Sequence, residues 1–297
     1  MLKKFIVIGL VLLVGCTDQS SESPSETTNE PIEIDLPEQV EETEPENLDE
    51  EETEEAPNDY QLSRNEVIEK YTDVTPNEWG ETVSGVITKI DTEDKIIALT
   101  FDACDVSPNA YDEELIQFLI EEDIPATLFL AGQWIQSYEE EFMELSNQPL
   151  FEIANHGYHH KPLSVNGESA YSISGTENVE EVVDEVIQNQ LLIEELTGIS
   201  PNYFRSGTAY YDDVSVEIVN ELGLEVVNYN VLGDAGGTFN THQIASTFET
   251  AEKGSIFLFH MNQPDGDIAS GVREGVMNLK EKGFEFVQLQ EYDEYLK

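Results

Sequence analysis

The sequence is poor in positive charge, and this shortage excludes a class of partners. Lysine and arginine number 13 in 297 residues, against 63 acidic residues, so the formal net charge is -50. Proteins that bind nucleic acids or other polyanions need clustered bases to contact phosphate, so we expect no nucleic-acid partner. We interpret the acidic excess as a solvated surface that suits a neutral or cationic substrate.

Cysteine and glycine-rich motifs are also scarce. The two cysteines are Cys16, which follows an apolar run near the amino terminus, and Cys104. If Cys16 carries a lipid, no intramolecular disulfide is available. Cys104 is then either a nucleophile beside an imidazole or a small half-buried residue, and we favour the second. No GxGxxG motif follows the first predicted strand, so nothing supports a dinucleotide-binding fold.

The apolar run near the amino terminus covers residues 5–14, which is too short to span a bilayer as an ordinary helix. Two lysines precede it, and Leu13-Val14-Gly15-Cys16 follows the pattern of a bacterial lipobox, with general signal-peptide cleavage as the alternative. We therefore predict a lipoprotein signal peptide over residues 1–15 and lipidation of Cys16. The protein would be extracytoplasmic, anchored to the bacterial cell membrane, and in contact with that membrane only through the anchor.

Residues 16–59 are predicted to be a linker. From residue 17 to residue 59 the chain has 18 acidic residues and no lysine or arginine. Such a segment buries too little apolar surface to offset its conformational entropy, and its charges repel one another. We interpret it as a disordered acidic tether; a metal-binding or recognition tail is the alternative.

Residues 60–297 are long enough for one sizeable core and are predicted to be a single domain, expected as a monomer. Apolar runs alternate there with helical patterns, which predicts an α/β fold with about seven parallel strands. The predicted strands cover residues 96–101, 126–131, 150–155, 203–206, 225–231, 255–260 and 284–289. Helices are predicted over residues 64–71, 112–122, 179–196, 214–222 and 272–282, and a further strand over residues 84–91 is expected to pair with the first.

Five chemically active residues end or closely follow predicted strands: Asp102, His156, Arg205, Asp234 and His260. In a βα barrel the loops at the carboxyl ends of all strands converge on one mouth, where catalytic groups sit. An open sheet would scatter some of these residues. The pattern therefore favours a barrel and predicts one site built from all five.

The spacing of His156 and His160 is typical of a metal site. Two imidazoles and a carboxylate, with one position open for water, suit a catalytic divalent ion, with zinc as the expectation. His159 would face solvent. Asp102 would either deprotonate a metal-bound water or bind the metal itself.

The other three residues have candidate roles in moving protons. His260 is a candidate general acid for a leaving amine, and Asp234 would hold its imidazole protonated and oriented. Arg205 would keep Asp102 ionised through a fork-like ion pair. The structural alternative is a single salt bridge between Arg205 and Asp234.

The region from about residue 95 to 295 resembles the polysaccharide deacetylase family, also called carbohydrate esterase family four or the NodB homology domain. Five motifs carry the resemblance in order: Thr100-Phe101-Asp102, His156-Gly-Tyr-His-His160, Phe204-Arg205, Asp234 and Leu258-Phe259-His260. The resemblance implies a deformed βα barrel and metal-dependent removal of acetyl groups from glycans. It also implies a base at Asp102, metal ligands at His156 and His160, and an acid at His260.

Three motifs depart from the family pattern. The second of two consecutive aspartates, the family's third metal ligand, is replaced here by Ala103. Asp105, Asp102 or an additional water must then substitute, and we favour Asp105. Arg205-Ser-Gly-Thr-Ala209 stands where Arg-Pro-Pro-Tyr-Gly is usual, although a backbone N–H near Thr208 still suits an oxyanion hole. Glycines follow Asp234 where the family supplies a Trp to the substrate groove.

We therefore predict a metal-dependent hydrolase that removes acetyl groups from N-acetylated cell-wall glycan, its expected substrate. Two alternatives stay open. One is a non-catalytic glycan-binding lipoprotein on the same fold, favoured by Ala103. The other is a hydrolase of small non-sugar amides that uses the same ligands.

Overall fold

A computed structural model describes residues 59–296 of the chain. The predicted signal peptide, the lipidated Cys16 and the acidic linker up to residue 58 lie outside these residues. The α-helices of the described part are α1 (Asp59–Tyr71), α2 (Glu113–Glu121), α3 (Gly132–Ser137), α4 (Glu139–Ser146), α5 (Val179–Thr197), α6 (Asp213–Glu221), α7 (Thr241–Thr247) and α8 (Ile268–Glu281). Across residues 59–296, no helix has both the length and the apolar character needed to cross a membrane.

The strands of the described part are short apart from the central ones. They are β1 (Trp79–Gly80), β2 (Ile96–Ala103), β3 (Ala126–Leu130), β4 (Phe151–Asn155), β5 (Ser169–Ala170), β6 (Ile173–Ser174), β7 (Tyr203–Phe204), β8 (Tyr211–Asp212), β9 (Glu225–Val226), β10 (Val231–Leu232), β11 (Ser255–His260) and β12 (Glu285–Val287). Short 3₁₀ turns cover Gly207–Ala209, Phe248–Thr250 and Leu289–Tyr295.

One parallel sheet organises the domain. Its seven consecutive strands run in the order β10-β11-β2-β3-β4-β7-β9, and β12 pairs with the first half of β2. All neighbouring strands in this sheet are parallel. The sheet curls into a part-closed βα barrel that stays open between β9 and β10, the two ends of the order. The predicted deformed barrel of about seven parallel strands is confirmed.

The two faces of β2 separate the core from the site. Ile97, Leu99 and Phe101 face the outer layer, where they pack in one fully buried cluster with residues of α2 and α8. Ile96 and Ala98 face the barrel interior, and Thr100 and Asp102 continue that face by the alternation of a strand. Every residue of β2 is buried, so the inward carboxylate of Asp102 needs partners.

Two strand predictions are corrected by the structure. Residues 84–91 form no continuous strand beside β2; their backbone makes isolated bridges at Ile87, Lys89 and Ile90 to other parts of the chain. Residues 225–231 are not one strand either, because the ladder breaks between β9 and β10. The carbonyls of Val227 and Asn228 accept hydrogen bonds from the Arg205 side chain at 3.0 Å each, so they are not available to a strand ladder.

All five predicted helices are present, as α1, α2, α5, α6 and α8. Residues 179–196 lie in α5, and Gly198, which follows the helix, is left-handed with φ +71°. Helices α3, α4 and α7 were not predicted. The last of these had a sequence signal, because Asn240 and Gln243 form a capping box at its start.

Candidate active site

The strand-end residues predicted to converge lie at one edge of the sheet. Asp102 and His260 are direct neighbours in the register of β2 and β11. His156 follows β4, Arg205 follows β7, and Asp234 comes two residues after β10. All are buried except the His260 side chain, of which 17% is exposed. The structure brings these five side chains together at the carboxyl ends of the strands, as the parallel topology requires, and Asp102 and His260 line a cavity there.

Asp102 and Arg205 form a buried ion pair. Nη1 of Arg205 donates to Oδ1 of Asp102 at 2.7 Å and to Oγ1 of Thr100 at 2.9 Å. The guanidinium also lies over the Phe129 ring, with its carbon 4.0 Å from the ring centre. Burial alone would raise the pKa of Asp102, but the charge and hydrogen bond of Arg205 hold that pKa below its usual value. Asp102 is therefore ionised at neutral pH.

The lone pair of His156 faces the same carboxylate. Nδ1 of His156 lies 2.9 Å from the backbone oxygen of Arg205, which can only accept, so Nδ1 carries the proton. Nε2 of the neutral ring is then an acceptor, and it lies 3.5 Å from Oδ2 of Asp102. Burial lowers the pKa of His156, so the ring stays neutral and its Nε2 has no proton to donate to Asp102. Two acceptors facing one another mark a position for a cation or a proton.

His160 completes a pair of neutral imidazoles. Its ring lies edge-on to that of His156, with centres 4.9 Å apart, and within residues 59–296 it has no hydrogen-bond partner. The pKa of His160 is lowered to about 3, mainly by burial and secondly by the nearby His156. Its backbone is left-handed at φ +59°, and a Cβ on Gly207 would come within 2.1 Å of the His160 oxygen. The glycine that replaces a family proline thus lets this loop and that of Arg205 approach closely.

Glu185 of α5 holds the histidine loop in place, and sequence reasoning missed it. Its carboxylate accepts from the backbone N–H of His159 at 2.9 Å and of Lys161 at 3.1 Å. Burial raises the pKa of Glu185 to about 7. An acidic residue on the apolar stripe of a predicted helix, three positions after Val182, was the signal that could have found it.

Asp234 and His260 form the second charged pair. Oδ1 of Asp234 lies 3.0 Å from Nδ1 of His260, and Oδ2 accepts from the His260 backbone N–H at 2.6 Å. Burial would lower the pKa of His260, but the charge of Asp234 raises it above the usual value. Arg205 and Asp234 therefore sit in separate pairs, and the single salt bridge between them is not observed.

Asp105 is not part of this cluster. Its side chain is exposed, and its Oδ1 accepts from the backbone N–H of Ser107 at 2.8 Å, which turns the carboxylate into its own loop. The predicted fold back towards the imidazoles is therefore absent from the structure. Cys104 is half-buried as favoured, and burial raises the pKa of its thiol to about 12, which removes a thiolate nucleophile. His159 is exposed, as expected.

A cavity of about 400 Å³ opens over the charged pairs. Asp102, His160, Thr208 and His260 line its floor. Thr208 has φ +82°, and its Oγ1 is buried without a hydrogen-bond partner among the described residues. Apolar side chains supply much of the remaining wall, and two of the lining residues, Tyr171 and Ile173, lie on a hairpin, β5–β6, that the sequence did not predict.

The side chains of His156, His160 and Asp102 are of the types that bind a divalent ion, but one of the usual protein ligands is missing. The two imidazoles are neutral, and the 3.5 Å between His156 Nε2 and Asp102 Oδ2 is close to the spacing of two ligands around one tetrahedral zinc. Among residues 59–296, however, no group of three His, Cys, Asp or Glu side chains is arranged to hold a metal. His156 and His160 are the residues that could hold the ion, with Asp102 beside it.

Residues 89–227 match the family model for polysaccharide deacetylases. A bifunctional xylanase/deacetylase from Pseudobutyrivibrio xylanivorans is 23% identical over 198 residues, which are 66% of this chain and 30% of that protein. This chain therefore matches less than a third of that relative's length.

Two solved structures share the fold. A CE4 family pseudoenzyme from Bacillus anthracis superposes with a TM-score of 0.60 at 19% identity, over 71% of this chain and 69% of that one. A peptidoglycan deacetylase from Bacillus subtilis gives 0.55 at 23% identity, over 68% and 92% of the two chains. Residues 89–227 therefore match a polysaccharide deacetylase domain, and the two solved structures share the curled barrel fold of this chain.

Proposed function

We propose that the protein is a metal-dependent hydrolase that removes acetyl groups from N-acetylated cell-wall glycan. The observation that carries this proposal is the pairing of opposite protonation states across one cavity. Asp102 is held ionised by Arg205, and His260 is held protonated by Asp234. A carboxylate base and an imidazolium acid in neighbouring strand positions are the two proton carriers that amide hydrolysis requires.

His156 and His160 would hold the ion, because both rings are neutral and each has a nitrogen free of hydrogen bonds to the described residues. A divalent ion there supplies Lewis-acid polarisation of the acyl carbonyl and acidifies water. Glu185 and the close approach at Gly207 fix the loop that presents the imidazoles. With two imidazoles as the only firm ligands, we infer weak binding of the ion.

The protein's own groups account for the proton transfers. Asp102 accepts a proton from the attacking water as a C–O bond forms at the acyl carbon. His260 donates the proton on Nε2 to the leaving nitrogen as the C–N bond breaks, because Nδ1 is held by Asp234. The products are acetate and the glycan amine. The backbone N–H of Thr208, on the cavity wall, is our candidate donor to the oxyanion.

The glycan substrate is supported by the family and by the cavity. The Bacillus subtilis structure with this fold is a peptidoglycan deacetylase. Among residues 59–296, no lysine or arginine lines the cavity, which suits a neutral acetylated sugar better than an anionic ligand. A small non-sugar amide would use the same polar floor and would not need the apolar wall.

A non-catalytic glycan-binding protein is the second candidate. The absence of a carboxylate at Ala103 favours it, as does the shared fold with a CE4 family pseudoenzyme. The two candidates differ in whether acetate is released.

The deciding experiment measures bound metal and acetate release in one preparation of the full chain, purified without chelator. We expect zinc and turnover of an N-acetylated glycan. His260→Ala should keep the zinc and lose turnover, whereas His156→Ala should lose both. Equal zinc loss in the two variants would make His260 a ligand. Zinc binding or glycan binding without acetate release in the unmodified protein would favour the second candidate.

We also propose that Cys16 carries a lipid that anchors the protein outside the cytoplasmic membrane. The lipobox and the short apolar run before it support this. Cys16→Ala should release or mislocalise the protein. Unchanged detergent partitioning of that variant would argue against lipidation.

A further inference from the structure

The hairpin β5–β6 is held in an unfavourable backbone conformation at the edge of the cavity. Ser169 pairs with Ser174 and Ala170 with Ile173, so the turn has only two residues, Tyr171 and Ser172. Their φ angles are +51° and +67°, the left-handed values of a type I′ turn, which Asn and Gly adopt far more readily. A bulky aromatic residue in this position indicates that something other than turn stability selects it.

Tyr171 is also the most exposed of the large apolar or aromatic side chains, at 71%. Its ring lies edge-on to that of Tyr210, with centres 5.5 Å apart at 85°. Tyr210 in turn lies 5.7 Å from the ring of Trp79. The Tyr171 hydroxyl donates to Glu81 at 3.1 Å. We call these three rings, Trp79, Tyr210 and Tyr171, the aromatic strip.

The strip rests on a rigid base. At the foot of the hairpin, the hydroxyl of Thr176 donates to the backbone oxygen of Ser164 at 2.6 Å and accepts from the Ser164 N–H at 2.8 Å. A Cβ on Gly175 would come within 2.3 Å of the Glu168 oxygen, so the two arms are packed backbone against backbone. Tyr171 is therefore presented in a fixed position, which reduces the entropy lost when a ligand binds.

The strip is continuous with the proposed catalytic cavity. Tyr171 and Ile173 line that cavity together with His160 and His260. At about 400 Å³ the cavity is near the lower end of small-molecule sites, so it suits one sugar unit. In a polymer, the next unit must then lie outside the cavity, and the aromatic strip is the surface beside its mouth.

We propose that the aromatic strip binds the sugar ring adjacent to the acetylated unit, by stacking that ring's C–H face on Tyr171. The proposal rests on the proposed function, because it takes the occupant of the cavity to be one unit of a glycan. An aromatic face suits the apolar face of a pyranose and tolerates either orientation of its hydroxyls. Glu81 beside the strip would also accept hydrogen bonds from those hydroxyls or from a free amine.

The strained turn offers a matched pair of variants. Tyr171→Asn removes the ring and places a residue that tolerates the left-handed conformation. Ser172→Gly relieves strain in the same turn and keeps the ring. Both variants should be at least as stable as the unmodified chain in thermal unfolding, so a difference between them in ligand binding reports the ring and not the fold.

The experiment measures binding of N-acetylglucosamine and its tetramer to the full chain by calorimetry. We expect the tetramer to bind about tenfold more weakly to Tyr171→Asn, as for the loss of one stacking platform, with Ser172→Gly unchanged. Binding of the monomer should change less than binding of the tetramer, because the monomer has no neighbouring sugar unit to stack, although Tyr171 also lines the cavity. Equal tetramer affinity in Tyr171→Asn and the unmodified chain would overturn the proposal, as would a tetramer that fails to bind the unmodified chain.

Acetate release from 4-nitrophenyl acetate, a small ester that has no neighbouring sugar unit, separates this proposal from the proposed function. If the unmodified chain hydrolyses neither ester nor glycan, the catalytic proposal fails, and the tetramer measurement still decides the aromatic strip. If the ester is hydrolysed and the tetramer affinities are equal, the strip proposal fails alone.

Discussion

Arg205 donates to one oxygen of Asp102 and leaves the other facing His156. The ion pair is 2.7 Å long with both side chains buried, and the second oxygen is 3.5 Å from Nε2 of the imidazole. Arg205 thus fixes which lone pairs of the carboxylate remain for chemistry. The same ion pair links the ends of β2 and β7, so it both positions the candidate base Asp102 and connects two strands of the sheet.

Replacing Asp102 by Asn should lower turnover by about 10²- to 10⁴-fold, the usual range for a lost proton acceptor. The amide keeps an oxygen for Arg205 but cannot take a proton from water. Zinc content should be retained if Asp102 is a base rather than a ligand. Acetate release and metal analysis on the same sample check both points, with His156→Ala as the metal-loss control. Zinc lost together with activity would identify Asp102 as a ligand.

Asp234→Asn should move the alkaline limit of activity to lower pH. Asp234 raises the pKa of His260, so its charge keeps the acid protonated as pH rises. Without that charge, burial dominates and the pKa of His260 falls, so the protonated form is lost earlier. The pH dependence of kcat/KM for acetate release checks this. An alkaline limb in the same place in both proteins would mean that another group supplies the proton.

The convergence of the site could be predicted because it follows from topology alone. Residues at the carboxyl ends of parallel strands share one edge, and this put Asp102 beside His260 and His156 without any knowledge of the loops. The family resemblance then supplied the expected roles.

The features that could not be predicted depend on loop backbone and on long-range contacts. Tyr171 and Ser172 carry no turn signal, so the hairpin they form was not expected. The strand predicted over residues 225–231 is interrupted because the side chain of Arg205, more than 20 positions earlier, donates hydrogen bonds to the backbone oxygens of Val227 and Asn228. The Asp105 carboxylate accepts a local hydrogen bond from Ser107, which competes with the expected approach of this carboxylate to the imidazoles.

Glu152→Gln should stabilise the protein at alkaline pH and have little effect at pH 4. The Glu152 carboxyl is buried and accepts from Thr127 Oγ1 at 2.7 Å, and burial raises its pKa from 4.5 to about 7. The folded state therefore holds this proton more tightly than the unfolded state does. The stability it contributes is fully present below pH 4.5 and is lost as pH rises through about 7, by roughly 3 kcal/mol at most.

Urea unfolding of Glu152→Gln and the unmodified chain at several pH values would measure this. Glu121→Gln is the control, because Glu121 lies at the surface end of α2 and accepts only from Gln117 on the same helix. A stability difference that does not change with pH would show that folding does not raise the pKa of the Glu152 carboxyl.

The last prediction concerns the ligand missing at Ala103. Asp105 is exposed and engaged with Ser107, so Asp105→Asn should leave zinc affinity unchanged. Ala103 is the final residue of β2 and is fully buried against the outer core. An aspartate there would be costly inside that core, so we expect Ala103→Asp to lower stability without zinc.

The same carboxylate would stand at the last residue of β2, next to the loop that follows the strand. Added to His156 and His160, it would give the three protein ligands that catalytic zinc sites normally have, and zinc affinity should rise by at least about tenfold. Zinc should then also restore the lost stability, because an ion that binds only the folded state favours folding. Titration of the metal-free proteins with zinc, followed by thermal unfolding, checks both effects. Unchanged affinity in Ala103→Asp would mean that the carboxylate stays on the helix side of β2, and weakened affinity in Asp105→Asn would mean that the loop of Asp105 rearranges around the ion.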